Sequence, residues 1–142
     1  MFRRIVVAFD GSDHATRALD VAINLAKAFN SRLDVIEVVD TAALLGMGFA
    51  PIPSEVINQI YNKTKTDLEN ARKRAEASGL KDVNTEILEG DPATSIIEYA
   101  SKNGADLIVM GSRGLSTFKR IVLGSVSAKV VQESRIPVLV VK

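Results

Sequence analysis

Short apolar runs rich in β-branched residues alternate along the chain with longer segments whose apolar residues recur at helical spacing. The short runs predict five strands, at residues 5–9, 33–39, 83–88, 106–110 and Val138–Val141. The longer segments predict four helices, at Asp13–Phe29, at 54–78, from Asp91-Pro92 to Gly104, and from Gly124 or Ser125 onward. Acidic or hydroxyl residues precede these helices, with Ser12 or Asp13 as the cap of the first.

Strands that alternate with helices predict a parallel sheet covered by helices on both faces. The strands read as nearly continuous apolar runs, which is typical of strands buried on both sides. With right-handed crossovers, the order 3-2-1-4-5 fits best. We therefore predict an α/β, single-domain, doubly wound five-stranded sheet over residues 1–142.

In that order the winding direction reverses between the first and fourth strands. Folds of this kind bind ligands outside the carboxyl ends of the strands, at the reversal. The first strand ends at Asp10 and the fourth at Gly111. Both residues are therefore expected to face one ligand site, although Asp10 could instead only cap the turn into the first helix.

A spaced glycine pattern follows the fourth strand. Gly111 and Gly114 are separated by two residues, and nine further residues lead to Gly124-Ser125, where a helix begins. Glycines allow close backbone approach, and the N–H groups at a helix start bind anions, so the pattern predicts a phosphate site. The alternatives are a tight connection without a ligand and, for Ser125, a helix cap only.

Composition excludes several classes of function. The net charge is +1, which gives no field to attract nucleic acid or a membrane surface, and the chain has no cysteine for disulfides or thiolate chemistry. The apolar start of the chain stops at Asp10, too short for a signal core. No apolar run approaches the roughly 20 residues of a membrane span. We expect a soluble cytoplasmic protein.

The familiar nucleotide fingerprints are absent. No Gly-x-Gly-x-x-Gly follows the first strand, and no P-loop lysine is present. His14 is the one histidine, and it has no nearby Ser or Cys partner, which argues against a catalytic dyad. No catalytic residue and no metal ligand is predicted.

Four segments carry a specific resemblance. These are the Gly111–Ser125 pattern, Ala8-Phe9-Asp10-Gly11-Ser12, Gly90-Asp91-Pro92 and the terminal Ile136-Pro137-Val138-Leu139-Val140-Val141. Together they resemble the universal stress protein family across essentially the whole chain, and the glycine pattern is similar to that of its ATP-binding branch. The resemblance implies a Rossmann-like, adenine-nucleotide α-hydrolase-like fold, ATP binding tied to stress survival, and weak or partner-dependent hydrolysis.

The resemblance also assigns residues. At the phosphate end, Gly111, Gly114 and Gly124 would surround ribose and phosphates, Ser125 would donate its hydroxyl, and the N–H groups of Val126 and Ser127 would lie nearby. Arg113 would lend charge or remain solvated. At the nucleoside end the assigned residues are Ala8, Phe9, Asp10, Val38 and Met110, the last two being core residues by default. Mg²⁺ or Mn²⁺ would be held mainly by the phosphates.

Three functions stay open from the sequence. The leading one is an ATP-binding regulatory switch. The second is an enzyme, either a slow ATPase or a transferase of phosphoryl or adenylyl groups. The third is a dimeric interaction module without a nucleotide. The family resemblance implies a homodimer, for which the edge strand Val138–Val141 is the expected contact. An unknown protein partner is also expected. Residues 41–53 are interpreted as a lid or partner loop, or equally as an apolar loop packed on its own domain.

Overall fold

The computed structural model describes residues 1–45, 52–113 and 123–142. The elements follow the predicted alternation of strands and helices, with one additional short helix. In chain order they are β1 Arg4–Ala8, α1 Asp13–Phe29, β2 Arg32–Val39, α2 Thr41–Leu45, α3 Ser54–Ala77, β3 Val83–Glu89, α4 Pro92–Lys102, β4 Leu107–Gly111, α5 Ser125–Glu133 and β5 Val138–Val141.

The strands form one parallel sheet of order β3-β2-β1-β4-β5, which confirms the predicted fold class and order. In the register of the central strands, Ile5 pairs with Leu33 on one side and with Leu107 on the other. β1 and β4 are neighbours, so the winding reverses between them. The carboxyl ends of these two strands therefore open a crevice at the predicted place.

Two apolar cores lie on opposite faces of the sheet because alternate strand residues point in opposite directions. On one face Ile5 and Val7 of β1, together with Phe9 just beyond its end, pack with small residues of α1 and with α3. On the other face Val6 packs with β2, β4, α4 and α5, through Ile36, Ile108 and Val130 among others. Alanines on the inner side of α1 allow that helix to lie close to the sheet.

The helix ends show why several boundaries were predictable. Ser12 caps α1 by accepting a hydrogen bond from the Ala15 N–H at 3.1 Å. Asp91 caps α4, its carboxylate accepts from the Thr94 N–H at 3.0 Å, and Pro92 is the first helical residue. Gly79 follows the end of α3 with a φ of +103°, a left-handed conformation that favours glycine.

The segment after β2 is partly helical. Residues 41–45, which the sequence analysis placed in a loop, form the short helix α2, and the Asp40 carboxylate accepts from the Ala43 N–H at 2.9 Å. Asp40 therefore starts the helix as an N-terminal acceptor does. Residues 46–51 of the proposed lid lie outside the described residues. None of the described helices is both long enough and apolar enough to cross a membrane.

One fully buried charge lies near the amino end of β2. The Asp34 side chain has no solvent exposure, and its carboxylate accepts hydrogen bonds from Arg4 Nε at 2.8 Å, Arg32 Nε at 3.2 Å and the Tyr99 hydroxyl at 3.3 Å. The two arginines are partly exposed, at 24% and 40%. Asp34 thus joins β1, β2 and α4 through charge-assisted hydrogen bonds.

We expect Asp34→Asn to lower the free energy of unfolding by about 1–3 kcal/mol, because it removes a buried charge that three donors satisfy. Asp20→Asn is the matched control. Asp20 pairs with Arg74 at 2.6 Å on the exposed surface, and its loss should cost at most about 1 kcal/mol. Urea unfolding measures both variants, and equal effects would show that burial of Asp34 contributes nothing.

Candidate functional site

A cavity of about 410 Å³ opens at the crevice between β1 and β4. Its size falls in the range of small-molecule sites. Residues from the ends of β1, β2 and β4, and from α1, α4 and α5, form its wall. They are Ala8, Phe9, Asp10, Ala15, Ile36, Val38, Asp40, Pro92, Ile96, Met110, Gly111, Arg113, Gly124, Ser125, Val126 and Ser127.

The structure brings eleven of the twelve residues predicted for the site onto this one wall. The twelfth, Gly114, lies outside the described residues. Ala15, Ile36, Asp40, Pro92 and Ile96 also line the cavity and were missed. A signal existed for Asp40, because it directly follows β2 at the carboxyl edge of the sheet, where ligands bind.

One end of the cavity is the amino terminus of α5. Gly124 caps this helix with extended backbone and no side-chain cap, and Ser125 is its first residue. The first intrahelical bond runs from the Ala128 N–H to the Gly124 carbonyl at 2.9 Å. The N–H groups of Ser125, Val126 and Ser127 therefore have no acceptor within the helix. This end of the cavity is suited to an anion.

The Ser125 hydroxyl does not cap α5, because Gly124 occupies the cap position. The Ser127 hydroxyl has a structural role: it donates to the Ser112 carbonyl at 2.8 Å, and the side chain is buried. Ser127 can therefore offer its backbone N–H to a ligand, whereas Ser125 can offer both its N–H and its hydroxyl.

Two carboxylates also lie on the cavity wall. Asp10 follows the end of β1, and its Oδ1 accepts from the Ser12 N–H at 2.9 Å, so Asp10 does stabilise the turn into α1. Asp10 also lies on the cavity wall, which makes the turn role and a ligand role compatible. Asp40 is the second carboxylate on the wall.

Apolar residues form another part of the wall. Ile36 and Val38 of β2, Ile96 of α4 and Met110 of β4 belong to the core on this face of the sheet. The Phe9 side chain packs into the core on the other face, so its backbone is what faces the cavity. A wall with anion donors, carboxylates and an apolar surface suits a ligand that has both an anionic group and an apolar portion.

His14 has a hydroxyl neighbour that is remote in the sequence. The Ser112 Oγ lies 3.3 Å from His14 Nδ1, and an Arg113 terminal nitrogen lies 3.4 Å from His14 Nε2. The expectation that His14 lacks a Ser partner was therefore wrong, because the fold joins residues 98 positions apart. Burial, followed by the charges of Arg17 and Arg113, lowers the pKa of His14. Neither His14 nor Ser112 is among the described residues that line the cavity. The pair therefore presents no nucleophile to the cavity.

Gly111 is required by packing. A Cβ at this position would lie 2.9–3.0 Å from the Cβ and backbone of His14, in the first turn of α1. Gly124 differs, since a Cβ there would meet its nearest neighbour, the Arg113 Cα, at an ordinary 3.4 Å. Packing therefore requires glycine at Gly111, whereas the described neighbours leave room for a side chain at Gly124.

No group of three or more His, Asp or Glu side chains in the described ranges is arranged to hold a metal ion. A divalent cation at this cavity would therefore need most of its ligands from a bound molecule.

The fold and the cavity define a doubly wound α/β protein with an anion-suited ligand site at its switch point. The model of the universal stress protein family matches residues 1–142. The chain belongs to this family, as the resemblance predicted.

Related proteins support that membership. Universal stress protein YxiE of Bacillus subtilis is 40% identical over the full length of both chains. A solved universal stress protein in complex with cAMP is 34% identical, with a TM-score of 0.72 and coverage of 99% of this chain and 97% of that one. The Archaeoglobus fulgidus universal stress protein in complex with dAMP is 25% identical, with a TM-score of 0.74 and coverage of 99% and 98%.

We expect Gly111→Ala to lower the free energy of unfolding by about 1–3 kcal/mol, since β4 and α1 must move apart. Gly124→Ala is the matched control and should cost less, at most about 1 kcal/mol, because it creates no clash and loses only the preference for glycine over alanine at an N-cap. Urea unfolding of both variants measures the difference. Equal stabilities would contradict the close approach of Gly111 to His14.

Proposed function

We propose that this protein binds an adenine nucleotide, ATP first among them, and acts as a nucleotide-dependent regulatory or stress-survival switch, mainly by binding. The observation that carries the proposal is the cavity at the switch point, whose wall combines apolar residues with the first N–H groups of α5, which have no acceptor within the helix. The complexes of two solved relatives with cAMP and dAMP support the same class of ligand.

The phosphate end of the proposal rests on α5. Consecutive N–H groups and the helix dipole favour negative charge at Ser125, Val126 and Ser127. The Ser125 hydroxyl adds a donor, and Arg113 is the cationic side chain on the wall beside it. Gly124 suits this proposal, because no described neighbour lies closer than 3.4 Å to where its Cβ would stand, and a missing side chain there would let a phosphate approach the backbone.

The nucleoside end rests on the apolar strip and the carboxylates. Val38 and Met110 offer flat contact for a base, and the strand end at Val38 offers backbone groups to its edge. Asp10 and Asp40 are acceptors, so they suit ribose hydroxyls or an exocyclic amine, which are donors. Mg²⁺ or Mn²⁺ would travel with the phosphates, where it would offset their charge.

The enzymatic alternative has its candidate bases among the carboxylates. A general base must reach the attacking hydroxyl or water, and Asp10 and Asp40 lie on the cavity wall, whereas His14 does not. Turnover measured with and without candidate partners would test this alternative directly.

We expect Ser125→Ala to weaken ATP binding by about 10- to 150-fold, because a hydrogen bond to a charged group contributes about 1.5–3 kcal/mol. Adenosine, which has no phosphate, should bind Ser125→Ala and wild type equally. Asp10→Asn should weaken ATP and adenosine alike. Calorimetric titration measures the affinity of the wild type and of each variant for both ligands, and Ser101→Ala, an exposed serine at the far end of α4, is the control.

No wild-type binding at millimolar ATP would overturn the proposed function. Equal losses of ATP and adenosine binding in Ser125→Ala would instead place the phosphates elsewhere.

We further propose a homodimer through β5. This strand is an edge of the sheet, and Leu139 is 36% exposed, with Val131 of α5 exposed at 44%. An apolar edge strand offers unpaired backbone groups to a second copy.

We expect the wild type to be a dimer at micromolar concentration by light scattering, and Leu139→Lys to be a monomer, because charges on an edge strand oppose pairing. Val56→Lys, which alters a residue of similar exposure on α3, should leave the dimer intact. A monomeric wild type would refute the dimer without affecting the nucleotide proposal.

A further inference from the structure

A buried glutamate lies behind the wall of the cavity. Glu37 of β2 is 7% exposed, and its Oε1 is buried without a hydrogen-bond partner. Its neighbour Val38 faces the cavity, so Glu37 points to the opposite face of the sheet, toward α1 and α3. An ionised carboxylate is costly in such a place, and a protonated one much less so.

The charges around Glu37 come from two elements. Asp67 and Lys63 face it from α3, and Asp10 faces it from the turn after β1. Lys63, the cation that faces Glu37 from these elements, is already paired with Asp67, with 2.6 Å between Nζ and Oδ2. Within this described group, the three carboxylates of Glu37, Asp67 and Asp10 share that ammonium group.

Burial first, and the Asp67 charge second, raise the pKa of Glu37 to about 8, while Lys63 lowers it. Glu37 is therefore largely protonated at neutral pH, and its proton requires an acceptor. Asp67 is the adjacent carboxylate, and it accepts hydrogen bonds as an ionised group.

The same aspartate touches the turn that forms the cavity wall. A Cβ on Gly11 would lie 3.0 Å from Asp67 Oδ1, and Gly11 has a φ of +81°, which favours glycine. Gly11 directly follows Asp10, which lines the cavity. The Asp67 carboxylate therefore lies close against the turn that carries Asp10.

We propose that Glu37 and Asp67 form a proton-binding site behind the cavity wall, and that release of this proton weakens the binding of an anionic ligand. The proton-binding site stands on its own, and its coupling to an anionic ligand rests on the proposed function. Release adds one negative charge behind the wall that carries Asp10, and this charge repels an anionic ligand in the same cavity. By linkage, a bound polyphosphate would raise the affinity of this site for its proton.

The sign of the effect on stability follows from the raised pKa. The unfolded chain releases the Glu37 proton near the ordinary 4.5, while the folded protein keeps it up to about pH 8. Between these values the folded state binds more protons, so stability falls as the pH rises.

The direct test is a ¹³C NMR titration of the Glu37 side-chain carboxyl. We expect a midpoint well above neutral in the wild type and a lower midpoint in Asp67→Asn, which removes the adjacent negative charge. A midpoint near 4.5 in the wild type would overturn the proton site, and an equal midpoint in Asp67→Asn would overturn the role of Asp67.

Unfolding as a function of pH gives a second readout. In the wild type, the unfolding equilibrium constant should change by up to tenfold per pH unit between pH 4.5 and about 8. Glu37→Gln keeps the shape of the side chain and cannot ionise, so this change should be absent from the variant. Glu98→Gln, which alters an exposed glutamate on α4, should leave the wild-type pH profile unchanged. A wild-type profile in Glu37→Gln would contradict the proposal.

The coupling is tested by ATP affinity at pH 7.5 and 9.5, where phosphate groups are already ionised. We expect a loss of about threefold in the wild type, the size of one added charge in screened solvent, and no loss in Glu37→Gln. Adenosine affinity should not change in either protein. Equal ATP affinity at both pH values in the wild type would overturn the coupling. Absence of ATP binding at both would overturn the proposed function, and the NMR titration would still decide the proton site.

Discussion

The backbone of Ser112 is the junction on which the rest of the site depends. Its N–H donates to the Val141 carbonyl at 2.8 Å, and its carbonyl accepts from the Gly124 N–H at 2.7 Å and from the Ser127 hydroxyl at 2.8 Å. These bonds hold the end of β4, the edge strand and the first turn of α5 together. The N–H groups of α5 are therefore fixed toward the cavity by the protein itself, which lowers the ordering cost of binding a ligand there.

This junction separates two roles within a single glycine pattern. Gly111 lies one residue before the junction. The backbone of His14 leaves no space for a Cβ there, so glycine is needed with or without a ligand. Gly124 lies on the other side of the junction, donates to Ser112 and leaves space where a side chain could fit. Within this pattern, packing against described residues therefore requires glycine at Gly111 and does not require it at Gly124.

The sheet order and the position of the cavity were predictable because apolar runs, helix caps and the switch-point rule are local or topological signals. Contacts that cross the fold were not predictable. His14 and Ser112 are 98 residues apart in sequence, and nothing near either residue predicts that they meet. Asp40 was missed because no role was assigned to the residue between the second strand and the segment at 41–53, although it starts α2. Glu37 interrupts an apolar run, and only the packing of α3 on that face shows that it is buried.

The described wall of the cavity combines anion donors at the start of α5 with carboxylates. Backbone N–H groups at a helix start stabilise phosphate charge, and they raise the rate of a chemical step only where that interaction is stronger in the transition state than in the ground state. Proton transfer needs in addition a base within reach of the attacking oxygen. Asp10 and Asp40 are the carboxylates on the described wall, so the balance between binding and turnover depends on whether either of them reaches that oxygen when a ligand is bound.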